Sequence, residues 1–526
     1  MKLLLPLLIF AFPLALLAAD ELPTEVPRPA IDTYRHVPQP PYIAKPEGIN
    51  GMYRKLTITP KTLPDPLLRY RVNIFAAEQE TGNAYPLYLA ALKTFTTQYQ
   101  ATQESVFRSE AYRKHDPGNE EEREAMEQLR FKAFPLYSHL GNFRTQITPE
   151  EETQLYTRTL AGVYPLLEKA SKKTYVDWSD QYEFRGIATM LEPLQEWRTL
   201  ARYLVDKANW EIRNGRYDDA LRTIRVGLAL SDHVLESKPS SFLVGMMVGV
   251  AIKGMMYESL FLLAAQPDAP NLYPALMQLR LNEKTWNNAI QSETLFLLNS
   301  RYCDDNFWNT LDSLTPEQAK TILAEDFVRL FLGSMGSNPA NEEAIALYLT
   351  AVCLAAYQPA KQRLLQKGLS EEEIEALSTF QIVVPFALEG VKRTYDVMLV
   401  EASMPVGETP SAFKFDEYVH NSARNPTNYP ADMMMSLLAP ATTAARTAFA
   451  RQQQTLDLLK IVEAIRYYTA IHGKLPESLE AITELAVPKM CPITAKPYQY
   501  RTSGNTAVID YSIHSRDTSR IEIVLE

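Results

Sequence analysis

Proline placement sets the first limits on this chain. Ten prolines fall between Asp20 and Pro66. Proline fixes its own φ and has no N–H to give, so this stretch can be neither a long helix nor a central strand. Residues 20–66 read as an extended arm or tether. An arm wrapped on the folded body is the alternative, because Ile31, Tyr34, Tyr42, Ile43 and Tyr53 are apolar enough to stick. From Leu67 to about Val400 the pattern turns helical. Glycine usage agrees: 19 glycines in 526 residues is about half the usual share, which suits long helices better than many tight β-turns.

Helix starts can be placed. Thr148-Pro149-Glu150-Glu151 and Thr315-Pro316-Glu317-Gln318 each put Thr at the N-cap, Pro at the first helical position and an acid or amide where it can bond back to the cap. Ser370-Glu371-Glu372-Glu373 is a third capping box. Tyr-Pro pairs at Tyr85-Pro86, Tyr164-Pro165 and Tyr273-Pro274 recur at irregular spacing and mark helix entries. Ser241 to Ala265 is the most apolar internal stretch. It holds Lys253 and Glu258, and a charge near a bilayer centre costs at least ~2.5 kcal/mol; a buried helix is the better reading. Gly245 and Gly249, four apart, let a neighbouring helix approach.

Trp197 to Leu235 reads as two helices joined at Asn214-Gly215-Arg216-Tyr217. In the second, Leu221, Ile224, Leu228 and Leu235 share a face at helical spacing. Ala208, Ala220 and Gly227 are expected to let the pair pack closely. Gly215, Tyr217, Ala220 and Gly227 match the pattern of a tetratricopeptide-type hairpin, which the segment resembles. Glu211 and Asp232 depart from it, where an aromatic residue and a proline are usual. No second copy of equal quality is found.

Met404 to Pro430 is a proline-rich break. A long helix follows from about Pro440 to His472, with Leu458, Leu459, Val462, Ile465 and Tyr468 along one side and Gly473 ending it. Then the period changes to two. Tyr498-Gln499-Tyr500, a turn at Ser503-Gly504-Asn505, and Ala507 to Ile513 read as a β-hairpin, with Ile521 to Leu525 as a third strand. The run Ile465-Arg466-Tyr467-Tyr468, then His472-Gly473-Lys474-Leu475-Pro476, then Cys491-Pro492-Ile493-Thr494-Ala495-Lys496-Pro497-Tyr498-Gln499-Tyr500 resembles the end of a major type II secretion pseudopilin. There a long helix leads to G-x-x-P and to D-P-x-x-G-x-P-Y-x-Y before a small sheet. Cys491 stands for the usual Asp and Ala495 for the usual Gly. The apolar pilin N-terminus is missing ahead of this helix, so the resemblance implies a shared helix-plus-sheet module and not membership of a pilus.

The whole chain resembles a class of large exported bacterial helical proteins to which no activity is assigned. The resemblance rests on the Gly215-Arg216-Tyr217 hairpin, the segment Gln266-Pro267-Asp268-Ala269-Pro270-Asn271-Leu272-Tyr273, the C-terminal module and the N-terminus. There Lys2 precedes an apolar run from Leu3 to Leu17, broken by Pro6 and Pro13, and Ala18 and Ala19 come before Asp20. That is the order of a secretory signal. An uncleaved N-terminal anchor is the alternative. With cleavage no stable transmembrane span is expected. The chain is expected to be exported, to the periplasm or cell envelope.

The expected fold is mainly α: a helical-hairpin, repeat-like body with a small C-terminal module of helix plus antiparallel β-hairpin. The expected order is a signal peptide at 1–19, the arm at 20–66, the helical body at 67–403, a proline-rich crossover at 404–439 and the C-terminal module at 440–526.

A net charge of −10 argues against general nucleic-acid binding. Three cysteines, Cys303, Cys353 and Cys491, are no disulfide framework, though Cys303 with Cys353 is the favoured pair if one bridge forms. There is no nucleophile elbow, phosphate loop or metalloprotease motif; Gly333 to Ser337 has the wrong spacing for an elbow. His233 and Glu236, three apart, form a metal half-site that lacks a second pair. Cys303-Asp304-Asp305-Asn306-Phe307-Trp308 gathers a thiol, two carboxylates and an amide, and a helix-end loop anchored by its aromatics is the plainer reading. Acidic runs at Glu120 to Glu122 and Glu371 to Glu373 suit helix starts. The 28 tyrosines offer a groove for peptides or glycans, or simply interhelical packing. No catalytic, cofactor or metal residue is assigned. The reading leans to a non-enzymatic binding or scaffold protein of the cell envelope with protein or peptide partners. An envelope hydrolase using fold-placed carboxylates, and an accessory of a secretion or pilus-like apparatus, stay open beside it.

Overall fold

The computed structural model describes residues 46–107, 153–179, 193–237, 243–279, 285–290, 305–323, 339–422, 439–513 and 517–526. Contacts gather the chain into two units, residues 1–38 with 99–148 and residues 39–98 with 149–526; the account below concerns the second. The signal segment, most of the arm, the Thr148 cap, Glu120 to Glu122, Cys303, Asp304 and Gly333 to Ser337 lie outside the described residues.

The chain is mainly helical with a small sheet at its C-terminal end. The arm is where the sequence reading needs correction. No proline falls between Pro46 and Pro60, and inside that window Tyr53–Ile58 forms strand β1, with Leu56 and Ile58 buried. At least from residue 46 onward the stretch belongs to the body, as in the wrapped alternative. Residues 67–84 hold no α-helix either, only a single 3-10 turn at Ala76–Glu78. They hold turns and a short strand, β2 (Glu80–Asn83), which pairs in parallel with β3 (Lys173–Tyr175).

The first helices are α1 (Tyr85–Phe107), α2 (Val163–Ser171), α3 (Pro193–Arg213), α4 (Tyr217–Leu235) and α5 (Leu243–Ala264). The α3–α4 hairpin turns where expected: Gly215 takes a φ of +68°, a backbone conformation that glycine adopts without steric cost, and Arg216 N–H bonds back to Glu211 O at 2.9 Å. Leu221, Ile224, Leu228 and Leu235 are all buried. Helix α5 packs across both hairpin helices. Gly227 serves this third helix and not the hairpin itself: a Cβ there would lie 2.3 Å from Met256 Sδ of α5. Gly249 of α5 faces back at α4, where its own Cβ would meet Leu235 Cγ at 2.6 Å, and Ser231 Oγ–H donates to Gly249 O at 2.8 Å. Among the described residues α5 is the one helix long and apolar enough to cross a membrane. Here α3, α4 and the long C-terminal helix surround it, and Lys253 pairs with Asp232 at 2.5 Å.

Next come α6 (Pro316–Ile322), α7 (Pro339–Gln366), α8 (Thr379–Ala402) and α9 (Phe415–Ser422). Thr315 and Ser370 both form the anticipated capping boxes, and Ser378 with Gln381 forms another that opens α8. Two apolar layers hold α8 in place. One sets Val384, Ala387 and Leu388 against Leu311, Leu314, Ala319 and Ile322. The other sets Ile382, Val383 and Phe386 against Cys353, Ala356, Ala360 and Leu364. The expected crossover at 404–439 is partly helical: Phe415 and Val419, four apart, bury one side of α9.

Helix α10 (Ala439–His472) is the axis of the unit. The sequence suggested one apolar side. In the structure Leu456, Leu458, Leu459, Ile461, Val462, Ala464 and Ile465 are all buried, so the middle of α10 is enclosed on every side. Gly473 ends it with a φ of +68°. Strands β4 (Gln499–Ser503), β5 (Thr506–Tyr511) and β6 (Ser519–Leu525) then form the antiparallel meander. The addition is β1, which pairs in parallel with β6, giving the order β1-β6-β5-β4. Ala507, Ile509, Tyr511, Ile521 and Ile523 alternate inward. The other face carries opposite charges across the strands: Lys55 with Glu522 at 2.9 Å, and Asp510 between Arg520 and Arg501, each at 2.6 Å.

Candidate functional site

The residues singled out in the sequence disperse. His233 does not stand ready for a metal. Its Nε2–H donates to Lys173 O at 2.8 Å, which leaves Nδ1 to accept from the Tyr88 hydroxyl at 2.8 Å. Both ring nitrogens are thus spent on joining α4 to β3 and α1. Burial pushes the imidazole below its ordinary titration range, against the pull of the Lys173 carbonyl and Asp232. Of the Cys303–Trp308 cluster, Phe307 and Trp308 pack against the α8 layer, consistent with an anchored helix end. Cys353 is a free, buried thiol, and Cys303, its partner had one bridge formed, lies outside the described residues. Glu373 closes the Ser370 capping box. Among the described residues no group of three or more His, Cys, Asp or Glu side chains could hold a metal ion.

The tyrosines cluster along α3. Tyr88 meets Trp197 edge-on with centroids 5.0 Å apart; Phe95 and Tyr156 flank Tyr203 at 6.1 and 6.2 Å; Tyr156 continues to Trp210 at 5.4 Å. All these rings are buried, so they make interhelical packing and not an open groove. Behind them Glu211, the departure from the hairpin pattern, pairs with Lys207 and accepts from Thr223 Oγ1–H at 2.7 Å. Lys207 Nζ lies 4.4 Å from the centre of the Tyr164 ring, and burial pushes the Tyr164 hydroxyl up to about 12.

The densest polar assembly runs along α10. At its centre Arg466 is wholly buried and Glu463 nearly so. The Arg466 guanidinium donates to both Glu463 oxygens at 3.0 and 3.1 Å, to Ala269 O at 2.8 Å and to Pro270 O and Thr59 O at 3.2 Å. Asn271 Nδ2–H donates to Glu463 O at 2.9 Å and Lys61 O at 3.3 Å. One node therefore fastens three separate pieces of chain: the strap after β1, the 266–273 segment and α10. Desolvation pushes the Glu463 carboxyl upward, and the arginine opposes it. A similar tie joins α8 to α10, where Arg446 meets Glu401 at 2.8 Å and donates to Thr409 Oγ1 at 2.7 Å.

Toward the start of α10 the seam meets the C-terminal module. Gln454 Nε2–H donates to Cys491 Sγ at 3.0 Å and to Ser512 O at 2.9 Å. Asp457 lies one turn further along, buried, and accepts from Gln453 Nε2–H at 2.7 Å. Tyr498 is buried with its hydroxyl unpartnered. Ala495, at the pseudopilin glycine position, has a φ of +52° and is the one non-glycine with positive φ among the described residues.

The sequence reading quoted Arg466, Asn271 and Cys491 within motifs and gave them no roles. It passed over Glu463 and Asp457 entirely. A Glu-x-x-Arg spacing in an otherwise apolar helix was the available signal for the central pair. Comparison of the chain with family models, curated proteins and solved structures returned no match.

Proposed function

We propose that this chain is a non-enzymatic binding or scaffold protein of the cell envelope, exported by its N-terminal segment to the periplasm or envelope. The observation that carries the reading is the use made of buried charge. Glu211, Glu401 and Glu463 each face a cation, and the Arg446 and Arg466 forks also tie separate elements through backbone and hydroxyl acceptors. A reaction centre needs a base or nucleophile with unspent capacity facing a substrate. Polar groups committed to cross-links favour a stiff frame that presents its outer surface to protein or peptide partners. The net charge of −10 speaks against nucleic acid as that partner.

Two measurements test this. Deleting residues 2–19 should retain the protein in the cytoplasm, and unchanged export without them would remove the localisation. In vivo cross-linking of the exported chain should return a partner that ordinary controls lack, and return of none would count against a scaffold.

The C-terminal module favours a second reading, an accessory of a secretion or pilus-like apparatus. Its support is Ala495, which holds a left-handed turn at the position where the pseudopilin motif carries glycine. Deleting the module is no test, because α10 is the core of the unit. Reversing the outer-face charges Lys55, Glu522 and Arg501 is milder, and unaltered secretion in that variant would remove the support.

A further inference from the structure

The C-terminal sheet ends in two edge strands, β1 and β4. An edge strand carries backbone groups with no ladder to join. At β4 those groups follow from the turn. Gly504-Asn505, with Gly504 at a φ of +57°, is a two-residue loop, so the pair Ser503 and Thr506 that closes it is hydrogen-bonded. Bonded pairs alternate along an antiparallel ladder. Arg501 with Val508 and Gln499 with Asp510 are therefore bonded too, while the N–H and C=O of Tyr500 and Thr502 point away from β5. The chain covers this edge as far as Tyr498. There Met490 lies opposite Pro497 in an antiparallel bridge, and Tyr498 N–H donates to Lys489 O at 2.9 Å. Pro488 comes next on that segment and has no N–H with which to continue the pairing. Among the described residues no segment pairs with the open side of Tyr500 and Thr502.

The side chains select what can fill the gap. Arg501 stands on the outer face, 54% exposed, and shares Asp510 with Arg520, so that two guanidiniums meet one carboxylate, each at 2.6 Å. A second copy of β4 is a poor occupant. The antiparallel register that uses all the open groups of Tyr500 and Thr502 sets the two Arg501 side chains directly opposite each other, and like charges so placed destabilise a sheet. An acid at that point instead gives two cations two anions.

We propose that β4 takes an extended acidic peptide segment of a partner protein as an added antiparallel strand, with a Glu or Asp opposite Arg501 and the two flanking residues bonded to Tyr500 and Thr502. This rests on the reading of the chain as a binding or scaffold protein and gives that reading a site and a partner chemistry. Main-chain bonds hold the guest, the strand-addition mode of peptide recognition, and the charge at Arg501 chooses it. The direction continues that of the Lys489–Met490 segment, which runs antiparallel along the same edge. Flanking side chains of the guest fall on the face of Tyr500 and Thr502, and its acid falls on the face of Arg501.

Capped peptides of sequence Thr-Val-Glu-Val-Thr and Thr-Val-Lys-Val-Thr, dye-labelled and titrated with the full chain up to millimolar concentration, read this by fluorescence anisotropy. The Glu peptide should bind about tenfold more tightly than the Lys peptide, because an attractive cross-strand pair replaces a repulsive one. Arg501→Glu should invert that order. N-methylation of either valine should abolish binding, since those amides bond to β4, whereas N-methylation of the glutamate, whose N–H points away, should leave it nearly intact. Thr502→Pro should abolish binding of both peptides. The N–H it removes is one that faces away from β5, so exchange protection of β5 should persist and show the sheet intact. Absence of binding, equal affinity for the two peptides, an unchanged order in Arg501→Glu, or full binding by Thr502→Pro would overturn the proposal. So would self-association of the parent chain that Thr502→Pro removes, which makes a second copy the occupant. Cross-linking in vivo keeps the two readings apart: a partner captured equally by the parent and by Thr502→Pro sinks the edge and leaves the scaffold standing, whereas no partner from either counts against the scaffold while the peptide affinities decide the edge.

Discussion

Replacing Arg466 by Met tests whether the buried node holds the unit together. Methionine keeps the length and apolar bulk of the side chain and removes the fork. Glu463, 1% exposed, is then a buried charge without a partner, a loss of about 3–5 kcal/mol. The carbonyls of Ala269, Pro270 and Thr59 each lose a donor, at roughly 1 kcal/mol apiece and with overlap. Arg466→Met should therefore cost about 5 kcal/mol, the lower end of the stability of whole domains. The double variant Arg466→Met with Glu463→Gln removes the stranded charge and leaves the carbonyl losses. It should recover about 2 kcal/mol relative to the single variant, although it carries one more change. Urea unfolding followed by tryptophan fluorescence gives the energies. Hydrogen exchange should show peptides covering 53–61 and 266–273 losing protection first, because those segments are fastened by the same guanidinium. A single-variant cost below about 1 kcal/mol, or a double variant no better than Arg466→Met alone, would refute the reasoning.

Ala495→Gly should raise stability by about 0.5–1 kcal/mol, the left-handed penalty on alanine less the extra freedom of glycine in the unfolded chain; a lowered thermal midpoint would count against the strain at φ +52°. Gly407→Ala should do the reverse, since its Cβ would lie 2.5 Å from the Ala495 backbone nitrogen, and unchanged stability would show the two loops to be further apart. Gly249→Ala should cost about 1–3 kcal/mol by forcing α4 and α5 apart, because its Cβ falls 2.6 Å from Leu235 Cγ and 3.2 Å from Ser231 O; equilibrium unfolding that matches the parent would contradict that packing.

Local chemistry was legible in the sequence wherever it was decided within a few residues. The boxes at Thr315 and Ser370, the turn at Gly215 and the stop at Gly473 need only their neighbours, and they appear where the residues placed them. The hairpin at Gly504 and the period-two strands follow for the same reason. Decisions made between distant segments were not legible. Tyr53 to Ile58 is a strand because β6 offers it an edge, and proline counting over the whole arm hid the short window that could accept it. Gly227 looked like a contact within its hairpin, and which helix would use that gap depended on where α5 lands. Glu463 and Asp457 look alike in the sequence, as isolated acids in an apolar helix. One meets an arginine at i+3 together with two remote loops, and the other meets the neutral amide of Gln453 on its own helix.

The parallel pairing of β1 with β6 joins residues 467 positions apart. Closing a flexible loop of that length costs about 5 kcal/mol in chain entropy beyond the constant term, more than one six-residue ladder can return alone. The ends can meet economically only after the helices have already drawn them together. Strand β1 therefore waits without its partner while the intervening chain is made, since β6 follows it by 467 positions. Its row of backbone donors and acceptors stays open through that interval, a temporary liability of the kind that holding factors exist to cover. A chain cut ahead of Ser519 would lose the strand that links β1 to the β4–β5 hairpin, so the fold of the N-terminal strand reports on whether that distant segment is present.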